Sequence, residues 1–115
     1  MQAADDSRYG GFVVSRNVMA GLPVRYSFRE ESAIPQFNGW TLYSAEDDDE
    51  YIGNSDNFAV LGAGSVRALA PVMLEIFDAP YGTDLCWLYE DGVHVGFYDL
   101  KADRETTIGN ILGTE

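Results

Sequence analysis

The side chains best suited to nucleophilic catalysis in this 115-residue chain are its single cysteine, Cys86, and its single histidine, His94. A Cys/His pair works only if the thiol and the imidazole lie within hydrogen-bonding reach of each other. The two residues fall in alternating runs, Asp84–Glu90 and Val93–Asp99, which an Asp91-Gly92 dipeptide connects. Such a two-residue loop predicts a β-hairpin with a type I′ turn. The hairpin would put Cys86 and His94 on opposite faces, so we predict no catalytic pair and interpret Cys86 as a small core residue.

The hairpin loop also predicts which residues stand opposite each other. The expected pairs are Glu90–Val93, Tyr89–His94, Leu88–Val95, Trp87–Gly96 and Cys86–Phe97. One face is then aliphatic and is expected to face the core. It holds Cys86, Leu88, Val93, Val95 and Phe97. The other face is mostly aromatic, and it is either a protein interface or a surface that packs against the helix or a second subunit. It holds Leu85, Trp87, Tyr89, His94 and Tyr98.

The other patterns that could carry chemistry are incomplete. No serine lies in a G-x-S-x-G elbow, so we predict no Ser/His/Asp triad. A calcium loop counted from Asp48 has Gly53 at position six but Ala59 where position twelve needs a bidentate Glu. Gly62 and Gly64 match only a fragment of a phosphate loop. One Cys and one His cannot form a disulfide or a usual zinc site. We therefore predict a protein that is not an enzyme, with no catalytic residues, no cofactor and no metal.

Four short strands are predicted ahead of the hairpin from apolar runs and from alternation of apolar and polar residues. They cover residues 10–15, 24–29, 39–44 and 57–61. In the second of them the apolar positions are Val24, Tyr26 and Phe28. Ser15, at the end of the first, is placed to cap a helical turn that runs through Met19.

The apolar spacing changes to the period of a helix between the fourth strand and the hairpin. The residues that follow this spacing are Leu69, Val72, Met73, Ile76 and Phe77. Pro71 suits the first helical position, where a missing N–H costs nothing, and Pro80 should end the helix near Asp78. The pattern predicts one helix that begins at Pro71 and ends near Asp78.

The order of these elements predicts an α+β fold, with a mainly antiparallel sheet, one or two short helices packed on one face, and a β-hairpin at its end. The length predicts a single domain, which we place at residues 9–100. Residues 1–8 and 101–115 are predicted to be polar terminal segments, although Ile108, Ile111 and Leu112 have the spacing of a short docked helix.

The charge excludes two classes of partner. Seven basic and 19 acidic residues give a net charge of −12, whereas nucleic acids and anionic membranes both require surfaces rich in Lys and Arg. Any charged partner should therefore be basic. The first residues include two aspartates where a signal peptide would carry positive charge, and no stretch approaches the ~20 apolar residues of a membrane span. We expect a cytoplasmic protein.

The acidic residues are unevenly distributed. Between Arg29 and Arg67 the chain has 37 residues, eight of which are acidic and none of which is Lys or Arg. Clustered like charges repel each other and cost folding stability, whereas a sequence selected only for solubility would spread its charges along the chain. The clustering therefore suggests a role in binding a basic partner. The predicted partner-binding residues are Glu46, Asp47, Asp48, Asp49, Glu50, Tyr51 and Asp56. The alternative is a solvated loop, in which Tyr51 and the nearby Trp40 and Tyr43 belong to the core.

The first two thirds of the chain resemble the immunity protein 33 domain family, whose members are small bacterial proteins. The resemblance covers about residues 11–84 and rests on a strand that ends in Ser, an Arg-Glu-Glu stretch, a Gly-Trp pair, an aromatic-Ser pair, and an acidic run that closes on a Tyr and an Asx turn. These features fall on Ser15, on Arg29, Glu30 and Glu31, on Gly39 and Trp40, on Tyr43 and Ser44, on residues 46–50, and on Tyr51, Asn54, Asp56 and Asn57.

The resemblance implies a cytosolic protein of a bacterial polymorphic-toxin system that binds and neutralises a cognate toxin. A toxin that attacks nucleic acid needs a basic active site, and an acidic inhibitor would be steered towards it. The alternative is an acidic interaction or regulatory module that has no toxin partner. A homodimer is compatible with either function.

Overall fold

The computed structural model describes residues 9–113, which form one seven-stranded sheet with short helices. The strands are β1 Gly11–Ser15, β2 Val24–Arg29, β3 Phe37–Ser44, β4 Phe58–Leu61, β5 Asp84–Glu90, β6 Val93–Asp99 and β7 Arg104–Thr106. Their order across the sheet is β4-β1-β3-β2-β5-β6-β7. Of these neighbours, β1 and β3 are parallel and the others are antiparallel. The predicted α+β class and mainly antiparallel sheet are confirmed.

The helices are short, and several begin at a side-chain cap. They are α1 Arg16–Met19, α2 Asp49–Ile52, α3 Ala63–Leu69, α4 Val72–Glu75 and α5 Ile108–Leu112, with a 3₁₀ turn at Ser55–Asn57. As predicted, Ser15 begins α1, since its hydroxyl oxygen accepts a hydrogen bond from the Val18 amide at 3.3 Å. This cap satisfies one of the amides that a helix leaves without a partner in its first turn.

The two faces of the sheet differ in how they are covered. Along β3, Asn38, Trp40, Leu42 and Ser44 are buried, while the residues between them are half-buried. The core on this side contains residues of α1, α3, α4 and α5, and we call it the covered face. The core that forms there includes Phe12, Val14, Val18, Trp40, Leu42, Val66, Met73, Ile76, Leu85, Trp87 and Ile111. We call the opposite side the open face.

The predicted helix begins at Pro71 as expected but ends earlier, at Glu75, and a second helix, α3, precedes it. Proline disfavours helical geometry in the residue before it, and Ala70 takes the extended angles φ −154° and ψ 78°. Pro71 therefore begins α4 and does not lie inside a longer helix. The preceding helix, α3, is missing from the prediction because the glycines around it, Gly62 and Gly64, indicate a loop.

The predicted strand pairs near the hairpin turn are confirmed, and the pairs beyond them are wrong. Tyr89 lies opposite His94 as expected, but Leu88 lies opposite Gly96, so that Val95 is an extra residue in β6. This β-bulge shifts the register by one position. Trp87 now pairs with Phe97 and is 2% exposed, whereas Val95, which was expected in the core, is 54% exposed.

The predicted aliphatic face is therefore not the core face as a whole: Cys86 and Phe97 are buried as expected, but Val93 and Val95 are exposed. Burying the indole of Trp87 removes more apolar area from water than burying a valine does, and its N–H finds a partner in the Ser27 hydroxyl oxygen at 2.9 Å. Val93 stays exposed at the hairpin tip. The bulge brings Phe97 to the same side as Trp87, where the two rings meet edge to face.

A bulge in β2 changes a second expectation. The register shifts between Val24 and Tyr26, so Val24 is buried while Tyr26 and Phe28 turn to the open face. Ser27 takes the buried position between them. The alternation seen in the sequence therefore marks a strand correctly, but its three apolar residues do not share one face.

The residues after position 100, predicted as a polar terminal segment, continue the same fold as far as the described part of the chain extends. β7 pairs with β6, and Ile111 of α5 is buried in the core. The short docked helix indicated by Ile108, Ile111 and Leu112 is present as α5. The boundary proposed at residue 100 thus leaves out one strand and one helix.

Candidate protein-binding surface

The acidic run follows β3 and forms the start of α2. The Asp48 carboxylate accepts a hydrogen bond from the Tyr51 amide at 2.9 Å and so caps this helical turn. Asp49 and Glu50 lie in the first turn and are exposed. Acidic side chains are favoured there because the amides at a helix N-terminus carry partial positive charge. The cap by Asp48 and the helix dipole therefore both favour negative charge at the start of α2.

Asp47 differs from its neighbours because it is 9% exposed. Its two carboxylate oxygens accept hydrogen bonds from the Asn17 side-chain amide at 2.6 Å and from the Ser44 backbone amide at 2.8 Å. Burial alone would raise the pKa of Asp47, but hydrogen bonds from Ser15, Ser44 and Asn17 outweigh it and lower the pKa below its ordinary value. Asp47 ties α1 to the end of β3.

The other predicted partner-binding acids are accessible. Glu46, Asp48, Asp49, Glu50 and Asp56 are all exposed. Asp56 lies in the 3₁₀ turn, and its backbone oxygen accepts a hydrogen bond from Arg16 Nε at 2.7 Å. We call these five residues the acidic patch.

Tyr51 connects the acidic patch to a row of aromatic rings on the open face. Its ring lies 6.3 Å from that of Phe58, which lies 5.5 Å from Tyr43, which in turn lies 5.4 Å from Phe28. We call these four residues the aromatic row. Tyr51 was a predicted partner-binding residue, and Tyr43 lies in the same row, whereas Trp40 belongs to the core and is fully buried.

Phe28 and Phe58 were not predicted as surface residues. Phe28 depends on the β2 bulge, which has no signal in the sequence. Phe58 lies on the open face because β4 pairs with β1, and Val60, two positions later, is opposite Val13. A groove of about 300 Å³ runs beside the row. Its lining residues are Val13, Thr41, Tyr43, Ile52, Gly53, Ser55 and Phe58.

The hairpin does not present the aromatic face that the sequence offered as a competing interface. Trp87 is buried in the core. Tyr89 donates its hydroxyl hydrogen bond to the Val24 backbone oxygen, on the same side of the sheet as Trp87. Tyr98 lies opposite Cys86 on the other side and donates to the Asp103 carboxylate. These three side chains therefore do not form one surface.

The single cysteine and the single histidine lie on opposite faces, as predicted. Cys86 Sγ accepts a hydrogen bond from Arg25 Nε at 3.2 Å, on the open face. The His94 ring lies on the covered side between those of Trp87, Tyr89 and Phe97, with centroid distances of 4.8–5.5 Å. No Cys/His nucleophile can form in this arrangement.

The surroundings of His94 disfavour its protonation. Burial lowers its pKa below the ordinary value of 6.5, although the Gly96 backbone and the Glu75 carboxylate act in the opposite direction. Within the described residues, His94 Nε2 is buried and has no hydrogen-bond partner. A proton on this nitrogen would be desolvated, so the folded protein resists protonation more than the unfolded chain does.

Lowering the pH from 7.5 to 5.5 should therefore reduce the free energy of unfolding through His94. The unfolded chain takes up this proton near pH 6.5, whereas the folded imidazole does so only at lower pH, so stability is lost as the pH falls through 6.5. One group contributes at most about 1.4 kcal/mol per pH unit. Urea denaturation of wild type and His94→Phe measures the effect. The acidic residues are common to both proteins, so the free energy of unfolding should fall more steeply with decreasing pH in wild type than in His94→Phe. An equal pH dependence in the two proteins would show that His94 is not the group responsible.

Across residues 9–113, no three His, Cys, Asp or Glu side chains are grouped so that they could hold a metal ion. Within that range no helix is both long and apolar enough to cross a membrane.

The fold and the surface define the chain as a small α+β domain with one covered sheet face and one open, aromatic face beside an acidic turn. A family model described as the immunity protein Imm33 domain matches residues 12–97, and the chain belongs to this family. The resemblance seen in the sequence is confirmed, and the match extends past residue 84 to include most of the hairpin. Comparisons with curated proteins and with solved structures gave no match.

Proposed function

We propose that this protein is a non-enzymatic, cytoplasmic immunity protein of a bacterial polymorphic-toxin system, which binds a basic cognate toxin and neutralises it. Membership of the Imm33 immunity protein domain family supports a toxin-immunity role. The observation that carries the proposed mode of binding is the exposure of five acidic residues in one patch next to Tyr51. The patch steers the toxin, and Tyr51 anchors it.

The exposed acidic residues and the half-buried Tyr51 have different roles in binding. Exposed charges at the edge of an interface mainly raise the association rate, and a strongly charged surface raises it by about 10- to 1000-fold at low salt. A half-buried aromatic side chain contributes contact area that becomes desolvated on binding. Asp47 supports the patch by fixing its backbone, since the Asp47 carboxylate is already occupied by Asn17 and Ser44.

Reversing the charge of Glu46, Asp49 and Glu50 to lysine should slow association with the toxin at least about 10-fold at low salt and flatten its salt dependence. The probe is the purified domain encoded by the gene next to that of this protein, which we expect to be the toxin, and association is followed by stopped-flow fluorescence. These three residues are exposed and make no side-chain hydrogen bond needed by the fold, so the triple variant should stay folded.

The matched control reverses Glu75, Asp78 and Glu90, which are exposed acids outside the patch. It changes the net charge by the same amount, so an equal loss of rate in both variants would show that only the overall charge matters. If expression of the neighbouring domain alone does not stop growth, or if this protein does not restore growth, the alternative of an interaction module without a toxin is favoured.

A further inference from the structure

The open face of the sheet is an extended surface and not an isolated apolar spot. The strand pairs place Phe28 opposite Thr41, Tyr26 opposite Tyr43, and Val13 opposite Val60. Side chains opposite each other in a ladder point to the same side. Aromatic and aliphatic side chains therefore extend from β2 across β3 and β1 to β4, with Tyr26 37% and Val60 51% exposed.

Negative charge flanks the aromatic row at both ends. At the Phe28 end lie Glu30 and Asp84, and Asp84 stands directly opposite Phe28 in the sheet. Burial and the nearby charge of Glu30 raise the pKa of the Tyr43 hydroxyl above its ordinary value. At the Tyr51 end lie Asp49 and Glu50 of α2. A partner seated on the row thus meets carboxylates on two sides.

Within residues 9–113, the cations near this face and the acidic patch, Arg16, Arg25 and Lys101, are fewer than the seven carboxylates there, which are those of Glu30, Asp84 and the five patch residues. Arg25 lies at the hairpin end of the face, where its Nε donates to Cys86 Sγ at 3.2 Å. Burial and the charges of Asp99 and Glu30 raise the pKa of Asp84 above its ordinary value, and the positive charge of Lys101 only partly opposes this rise. A second copy of this chain, also with a net charge of −12, would be repelled. Charge complementarity therefore selects a basic occupant.

We propose that the open face is the docking surface for an arginine-bearing segment of a basic protein, with guanidinium groups stacked on the aromatic row and paired with the carboxylates at its ends. Guanidinium is planar, stacks on aromatic rings and is less strongly hydrated than ammonium, so arginine fits this surface better than lysine. The inference deepens the proposed function, because the toxin is the protein expected to carry the segment, but the surface chemistry can be tested without a toxin.

Two peptides of equal charge, nona-arginine and nona-lysine, serve as probes of this surface. In an NMR titration of the ¹⁵N-labelled protein, the amide shifts caused by nona-arginine should cluster at Val13, Thr41, Tyr43 and Phe58. Nona-arginine should bind at least 3-fold more tightly than nona-lysine, since the difference between them reports ring stacking. Shifts confined to the covered face, or equal affinities for the two peptides, would overturn the proposal.

Variants of the aromatic row make the test specific. Tyr43→Leu and Tyr51→Leu should each reduce the preference for nona-arginine, whereas Tyr43→Phe, which keeps the ring, should retain it. Tyr81→Leu is the matched control, because Tyr81 is exposed and lies outside the row. The preference should survive in this control, and an equal loss in it would contradict the proposal. Tyr51→Leu, in a half-buried turn, keeps the test decisive if Tyr43→Leu fails to fold.

The peptide experiment and the toxin experiment fail separately. If the protein does not restore growth but nona-arginine still maps to the open face, the proposed immunity function is wrong and the docking surface stands. If the protein restores growth while the peptide maps elsewhere, the immunity function stands and the docking surface is wrong.

Discussion

Replacing Arg29 by methionine should destabilise the protein by about 3 kcal/mol and lower its Tm by about 10–15 °C. Such a loss is a large fraction of the 5–15 kcal/mol by which domains of this kind are usually stable. The reason lies in the position of the guanidinium group, which closes the end of the sheet against the turn that follows α4.

Three backbone carbonyls accept hydrogen bonds from Arg29. Its Nη1 donates to the oxygens of Phe77 and Ala79 at 2.9 and 2.8 Å, and its Nε donates to the Asn38 oxygen at 2.9 Å. The guanidinium group also lies 4.7 Å from the centroid of the Tyr81 ring. Methionine keeps the apolar stem but leaves the Ala79 and Asn38 oxygens without these donors, and each unmade bond costs about 1–3 kcal/mol.

Thermal and urea denaturation of Arg29→Met measure this loss. Arg104→Met is the matched control, because Arg104 is an exposed arginine in β7. It should change the free energy of unfolding by no more than about 0.5 kcal/mol. Arg29→Lys keeps the charge but cannot donate in the same planar geometry, so its stability should fall between those of wild type and Arg29→Met. Equal losses for the two methionine variants would contradict the structural role.

Several residues of the family-like pattern have structural roles of the same kind. Gly39 has φ +91°, and a Cβ atom there would collide with the backbone oxygen of Glu30. Trp40 follows it in the core, where its indole N–H donates to the Phe77 oxygen at 3.0 Å. Arg29 donates to that same oxygen. These residues of the family pattern therefore stabilise the fold, and they are not themselves evidence of a binding site.

The elements with a local cause were predictable from the sequence. The Asp91-Gly92 turn has both residues at positive φ, as its type I′ geometry requires, and both strands of the hairpin have the predicted bounds. The Ser15 cap likewise depends only on residues within three positions of it.

The features that depend on distant contacts were not predictable. The extra residue Val95 is placed by the burial of Trp87 against Ser27, which is 60 positions away in the chain. The bulge in β2 likewise decides that Phe28 joins the aromatic row. Three of the four residues of that row were therefore absent from the predicted partner-binding residues, whereas all five residues of the acidic patch, which lie within residues 46–56, were included.

Asp47 belongs to the acidic run in the sequence but, unlike the other acids of that run, it is buried. Replacing Asp47 by alanine should lower the free energy of unfolding by about 3 kcal/mol. The substitution removes acceptors from the Asn17 amide at 2.6 Å and the Ser44 amide at 2.8 Å, and hydrogen bonds to a charged group contribute about 1.5–3 kcal/mol each. Its neighbour Asp49 is exposed, so Asp49→Ala should change the free energy of unfolding by no more than about 0.5 kcal/mol.

The pH dependence of Asp47 gives a second, independent readout. Its pKa is lowered in the folded protein, so its contribution to stability is complete above the ordinary value of 3.8 and is lost as the pH falls through the folded value. Urea denaturation at pH 7 and at pH 3 should therefore show a smaller difference between Asp47→Ala and wild type at the lower pH. A cost that is the same at both values would place the effect in packing and not in the carboxylate. In the association experiment, a folded Asp47→Asn variant should bind the toxin at a rate close to that of wild type, because the Asp47 carboxylate faces Asn17 and Ser44. If its association rate falls as much as when Glu46, Asp49 and Glu50 are reversed, Asp47 is part of the interface.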